Sequence, residues 1–293
     1  MSLLKVIVLA IVQGLAELLP VSSSAHVIVA EKLMGLDPSS PQMTLLLVML
    51  HTGTMFAVIA YFWKTWKQSY FASKAVFRQF AVRVIWATVL TGLVGEGLKK
   101  LLEHTLLHDA PKAEIEQLFS RLDLIAPALA AVGVLILIAG IVEHRRKIAA
   151  RTAAGTLTMR QAAWMGIVQG LALPFRGFSR SGSTISAGML TGAAKDDAER
   201  FSFALAVVLT PAVVGLEGLR LWKAAHLATS IGTPIDLHAS LLSSLLGMVF
   251  SFLAGLLALQ WLSRWLETGR WYLFGIYCLL ASGVVFYLHA RGF

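Results

Sequence analysis

The stretch Ile11-Val12-Gln13-Gly14-Leu15-Ala16-Glu17-Leu18-Leu19-Pro20-Val21-Ser22-Ser23-Ser24-Ala25-His26 decides the fold. It places a carboxylate, three hydroxyls and an imidazole inside an apolar N-terminal run. Pro20 carries no N–H and breaks a helix. The apolar pieces on either side, Val6–Leu19 and Val27–Leu36, are each about 10–14 residues, too short to cross a bilayer. They predict a helical hairpin that dips into a membrane and returns. Ionisable groups at that depth are costly and mark function.

The opening words return 156 positions later. Ile167-Val168-Gln169-Gly170-Leu171-Ala172 repeats Ile11–Ala16 letter for letter. It runs into a second polar knot, Arg176-Gly177-Phe178-Ser179-Arg180-Ser181-Gly182-Ser183-Thr184. The chain is 57% apolar and 14% charged, whereas a soluble domain carries about 25% charged residues. Six apolar runs of spanning length lie near residues 45–63, 82–98, 124–142, 201–222, 239–262 and 271–289. The pattern predicts an all-α polytopic membrane protein, one membrane domain over residues 1–293. It has six spanning helices plus two re-entrant helical hairpins, the second over Gln161–Ala194.

Adding 156 to Leu45 and Arg83 gives Phe201 and Ala239, at the starts of the fourth and fifth spans. The chain therefore divides into repeats 3–143 and 159–289. A hairpin that returns to its own side adds no crossing, and three spans are an odd number. The second repeat must then enter from the opposite face, as an inverted-topology repeat. Such repeats set their sites near the bilayer midplane, where broken helix ends meet.

The formal charge is +9. In a membrane protein this reads as contact with anionic lipid rather than nucleic acid. Lys and Arg favour cytoplasmic loops. The loops at 64–83, 144–160, 193–200 and 263–270 hold 14 basic residues against 9 on the other side. The first set is expected to be cytoplasmic. Cys278 is the only cysteine, so neither an intrachain disulfide nor a cysteine metal cluster is expected. No small-residue cleavage site follows a short apolar core near the N-terminus, so no removable signal peptide is expected.

Ser22, Ser23 and Ser24 stand where orphan N–H groups of a second half-helix need acceptors, so they read as caps. His26 lies three residues after Ser23 and can share a face with it. It is either a base or a hydrogen-bonded core residue. Arg176 and Arg180 sit among Gly, Ser and Thr before an apolar half-helix. Arginine forks and N–H groups at a helix start suit phosphate; the alternative is two arginines reaching for headgroups. Together the knots suggest phosphoryl-transfer chemistry on a lipid-borne phosphate. Glu96 and Glu217 read as structural carboxylates, and His51 reads as a packing residue of the first span. His104, His108, His226 and His238 show no metal spacing. Ser179-Arg180 invites comparison with type-2 phosphatidic acid phosphatases, but Ser186 stands where their histidine is needed, so that class is rejected.

On these motifs the chain resembles the undecaprenyl-pyrophosphate phosphatase, or bacitracin-resistance, family over essentially its whole length. The family's first motif is Glu/Gln-x-x-x-Glu followed by Pro-Val-Ser-Ser-x-x-His. Here it reads Gln13-x-x-x-Glu17, then Pro20-Val21-Ser22-Ser23-Ser24-Ala25-His26. The second, Pro-Gly-x-Ser-Arg-Ser-Gly-x-Thr, is matched from Gly177 to Thr184, with Arg176 in place of proline. The resemblance implies removal of the terminal phosphate of undecaprenyl pyrophosphate at the outer face of the plasma (inner) membrane, help from Mg2+ or Ca2+, and a homodimer. It implies a catalytic set of Glu17, Ser23, His26 and Arg180. Ser23 would be the nucleophile, His26 its base, and Glu17 the metal ligand or the group that orients His26; in the alternative, His26 or Glu17 activates water directly. Gln13, Ser22, Ser24, Ser179, Ser181 and Thr184 would contact substrate; Arg176, standing where the family has proline, is expected to do so from its own place in the second knot and not from the resemblance. A lipid-carrier flippase is the competing class, because the architecture is transporter-like.

Overall fold

The computed structural model describes residues 2–38, 40–106, 121–148, 157–230, 236–266 and 270–293. All regular structure among them is helical. In chain order the helices are α1 (Leu3–Leu18), α2 (Ser23–Leu33), α3 (Pro41–Tyr70), α4 (Lys74–Leu106), α5 (Leu122–Ile148), α6 (Met159–Ala172), α7 (Arg180–Leu190), α8 (Lys195–Ser230), α9 (Leu237–Leu266) and α10 (Tyr272–Ala290). Six of them, α3, α4, α5, α8, α9 and α10, are long and apolar enough to cross a membrane. The expected spans thus all appear, extended at their polar ends. Both broken segments appear as pairs of short helices.

Local chemistry sets these boundaries. Pro20 follows α1, and Pro174 follows α6, where neither can continue a helix. Ser40 caps α3, accepting from the Met43 N–H at 3.4 Å, with Pro41 at the first helical position. Thr158 and Gln161 form a capping box at the start of α6. The far ends of the two short helices are held by cations, as helix C-termini favour. Lys5 Nζ donates to Met34 O at 2.7 Å after α2. Arg146 of α5 donates to Met189 O at 2.6 Å and Leu190 O at 3.3 Å at the end of α7.

The packing between halves is reciprocal. Helix α1 packs along α9, and α6 packs along α4. The repeated Gln-Gly-Leu-Ala words are the contact points. A Cβ on Gly14 would lie 2.5 Å from Ala254 Cβ and 2.9 Å from Gly255 N; one on Gly170 would lie 2.8 Å from Thr91 O and 3.1 Å from Gly95 N. Only a missing side chain lets these backbones approach, as between membrane helices generally. Gln169 adds a buried hydrogen bond from Nε2 to Thr91 Oγ1 at 3.3 Å. Helix α5 meets α10 in the same way, through Gly133 and Gly275, with Ser282 Oγ donating to Ala126 O at 2.7 Å. Gly170→Val should therefore cost about 1–3 kcal/mol by overpacking, seen as a lower Tm in detergent. Gly215→Ala on α8, where an added Cβ meets nothing within 4 Å, should leave Tm unchanged or slightly raised.

Candidate active site

The turn Leu19–Ser22 and the longer connection Leu173–Ser179 bring the starts of α2 and α7 together around a cavity of about 150 Å³. Its wall includes Glu17, Ser22, Ser23, Ser24, His51, Arg176, Ser179, Arg180 and Ser181, with Val48 and Met55 of α3 and Ala206, Leu209, Thr210 and Val213 of α8. Two helix N-termini point their positive ends at one space, which favours an anion there.

Glu17 is the hub. It is buried on the last turn of α1, and both of its oxygens are engaged. Oε1 accepts from Arg180 Nη2 at 2.5 Å. Oε2 accepts from Gln13 Nε2 at 2.8 Å and from the Ser23 hydroxyl, and lies 3.3 Å from His51 Nε2. The two knots, 163 residues apart in sequence, thus meet in an ion pair. Two polar atoms are left over. No partner among the described residues reaches buried Arg180 Nη1 or Gln13 Oε1. The guanidinium holds Glu17 with one arm and leaves the other, Nη1, without a hydrogen-bond partner among the described residues.

Five readings differ from the geometry. His26 does not join this cluster and does not line the cavity. Its Nδ1 lies 2.8 Å from Ser22 O, and its Nε2 lies 2.7 Å from the Tyr277 hydroxyl on α10. The reason is local: at the start of α2 the Ser22 carbonyl, one turn back, captures the ring. His51 occupies the expected place instead. Its Nε2 is 3.5 Å from Ser23 Oγ, while Nδ1 is 2.7 Å from Leu47 O. A carbonyl only accepts, so Nδ1 carries a hydrogen and Nε2 faces Ser23 and Glu17. Thr184 is turned into the protein, donating to Arg180 O at 2.8 Å and lying 2.5 Å from Ser202 Oγ. Finally, the serines of the first knot do not cap α2. Ser22 stands at the N-cap position with φ 67°, a left-handed conformation that costs a non-glycine residue about 1–3 kcal/mol, and its side chain makes no cap hydrogen bond. In the second knot Ser179 does cap, accepting from Gly182 N at 3.1 Å. Gln13 stands behind Glu17, outside the cavity wall.

The weaker candidates lie elsewhere. Glu96 pairs with Lys100 at 3.7 Å and Glu217 with Arg220 at 2.8 Å, both within one helix. His108 lies outside the described residues.

The family model for bacitracin resistance protein BacA matches residues 6–284. The chain belongs to the BacA family. Among curated relatives of this family, undecaprenyl-diphosphatase 2 of Acinetobacter baylyi is 57% identical over 285 residues, 97% of each chain. Undecaprenyl-diphosphatase 1 of Burkholderia pseudomallei is 35% identical over 293 residues, 96% of this chain and 95% of the relative. Undecaprenyl-diphosphatase 2 of Burkholderia ambifaria is 34% identical over 299 residues, 98% and 96% respectively. The family match spans both short-helix pairs and all the residues around Glu17.

The cavity offers few donors for a hard divalent cation: among the described residues no group of three or more His, Cys, Asp or Glu side chains could hold one. Such ions take oxygen ligands, and Mg2+ is commonly held by one or two carboxylates together with substrate phosphates. Glu17 is the one carboxylate on the cavity wall, and both of its oxygens are engaged by protein partners.

Proposed function

We propose that this BacA-family protein hydrolyses undecaprenyl pyrophosphate to undecaprenyl phosphate and inorganic phosphate. That activity recycles the lipid carrier for cell-wall synthesis and underlies bacitracin resistance. One observation carries the reading. Arg180 and Ser23, each at a helix start, converge on Glu17 in a cavity built for an anion.

In this reading Arg180 Nη1 takes the terminal phosphate, and Arg176, Ser179 and Ser181 flank the pyrophosphate. Ser22 and Ser24 line the opposite wall. Substrate competes for the partners of Glu17, and the Ser23 hydroxyl turns to His51 Nε2, which receives its proton. Ser23 Oγ then attacks the terminal phosphorus, and the bond to the bridging oxygen breaks, releasing undecaprenyl phosphate. Water attacks the phosphoserine, returning Ser23 and releasing phosphate. Charge that develops on the transferring group is met by the arginines and the two helix starts. Mg2+ or Ca2+ belongs to the proposal through the family resemblance; Glu17 with phosphate oxygens would hold it, and it would neutralise pyrophosphate charge.

The topology is proposed with the function. The two short-helix pairs are read as re-entrant hairpins, and residues 3–143 and 159–289 as inverted repeats, supported by the reciprocal packing of α1 on α9 and α6 on α4. His51 and Thr210 stand within a few residues of the middle of their apolar runs, about 1.5 Å of depth per residue. This supports a site near mid-membrane. The excess of basic residues in the loops at 64–83 and 144–160 supports a cytoplasmic location for them, with the cavity served from the outer face of the inner membrane. The family resemblance supports a homodimer.

The reciprocal halves also suit a lipid-carrier flippase. One experiment separates the two. Purified protein in liposomes is given undecaprenyl pyrophosphate, and both orthophosphate and transbilayer movement are measured. The phosphatase reading expects one phosphate released per substrate consumed. Movement without release would replace it with the flippase.

A further inference from the structure

We propose that Tyr277 of α10 is a positioning residue for the reaction centre, acting through His26 on the strained turn that presents Ser23. The inference rests on Ser23 being the reacting group of the proposed phosphatase.

Ser22 is the only non-glycine residue with positive φ among the described residues. This conformation starts α2 at Ser23 and aims the Ser23 hydroxyl at Glu17. The Ser22 side chain does not hold the turn, because it makes no cap hydrogen bond. The turn is held through its carbonyls. Ser22 O accepts from His26 Nδ1 at 2.8 Å and from His26 N at 3.4 Å. With Nδ1 protonated and donating, a neutral His26 keeps a lone pair on Nε2. The Tyr277 hydroxyl, 2.7 Å away, donates to it. The two rings also stack, with centroids 5.7 Å apart and planes at 11°. This second bond fixes the tautomer that the first one needs.

The neighbouring residue grips the same turn. Cys278 Sγ donates to Pro20 O at 3.6 Å. Consecutive residues of α10 therefore reach both ends of Pro20–Ser22. Helix α10 is itself locked against α5 by Gly133, Gly275 and Ser282. Neither His26 nor Tyr277 lines the phosphate cavity; both flank a separate apolar groove with Val29, Leu129 and Leu280. The pair thus sets Ser23 from behind rather than touching the phosphate. Helix α10 thus fixes the geometry of the Pro20–Ser22 turn through His26, 251 residues from Tyr277.

The test is Tyr277→Phe, which keeps the ring stack and removes the hydroxyl. A displacement of about 1 Å at a reacting group can cost about 10²-fold. We expect kcat for phosphate release to fall about 10-fold, with KM within about twofold of wild type. His26→Asn, which keeps a side-chain N–H for Ser22 O, should retain more activity than His26→Ala. Adding Tyr277→Phe to His26→Ala should cost nothing further. Amide exchange at Ser23–Ala25 should quicken about 10-fold in Tyr277→Phe while α5 is unchanged, a readout that needs no activity. Wild-type kcat or unchanged exchange in folded Tyr277→Phe overturns the proposal, as do multiplicative effects of the two substitutions. No phosphate release by the wild-type protein would instead overturn the phosphatase reading, with the exchange result still deciding whether Tyr277 braces the turn.

Discussion

Arg180→Lys should lose about 10²–10³-fold in kcat, although the positive charge is kept. In the structure one arm of the guanidinium pairs with Glu17 Oε1 at 2.5 Å while Nη1 is buried without a partner among the described residues. A planar fork can hold the carboxylate and a phosphate oxygen at once. An ammonium is a point charge and must choose between them. Losing one preorganised donor to a transition state typically costs about that factor. The ion pair with Glu17 can survive in the lysine variant, so folding should be retained. Phosphate release by purified Arg180→Lys, with thermal unfolding matched to wild type, checks the point. Near-wild-type turnover would mean that charge alone suffices there.

Ser23→Ala should lose at least about 10³-fold, and the loss should not add to that of His51→Ala. If Ser23 attacks and His51 takes its proton, removing either disables one step, and catalytic units of this kind are strongly non-additive. The double variant should turn over about as slowly as the worse single one. Folding should again persist, because Glu17 keeps Arg180 and Gln13 when the Ser23 hydroxyl is gone. Single-turnover rates of the four proteins measure this. If His51→Ala alone stays near wild type, the proton goes elsewhere.

The contrast between His26 and His51 shows how far the sequence reaches. Hydropathy marks the six spanning-length helices because each contains a long run of mostly apolar residues. Pro20 and Pro174 mark the breaks because proline acts locally. The meeting of Glu17 with Arg180 follows from two similar segments carrying opposite charge. What local spacing does not carry is the direction of a side chain set by a distant partner. His26 sits three residues from Ser23, yet the Ser22 carbonyl and Tyr277 turn it away. His51 sits inside an apolar run with nothing beside it to mark function, and only the packing of α3 brings it to Glu17. Thr184 belongs to the same knot as Arg180, but its helical face meets Ser202 on α8. The left-handed Ser22 leaves no trace in composition, since glycine usually takes such positions. The Gln-Gly-Leu-Ala repeat is explained by close helix packing at Gly14 and Gly170 as well as by the site.

The most direct measurement is an acid quench during turnover of undecaprenyl pyrophosphate labelled in its terminal phosphate. The proposed chemistry predicts label on the protein as phosphoserine, in the peptide containing Ser23, and none on Ser23→Ala. Rapid phosphate release with no labelled protein, together with near-wild-type turnover by Ser23→Ala, would contradict it.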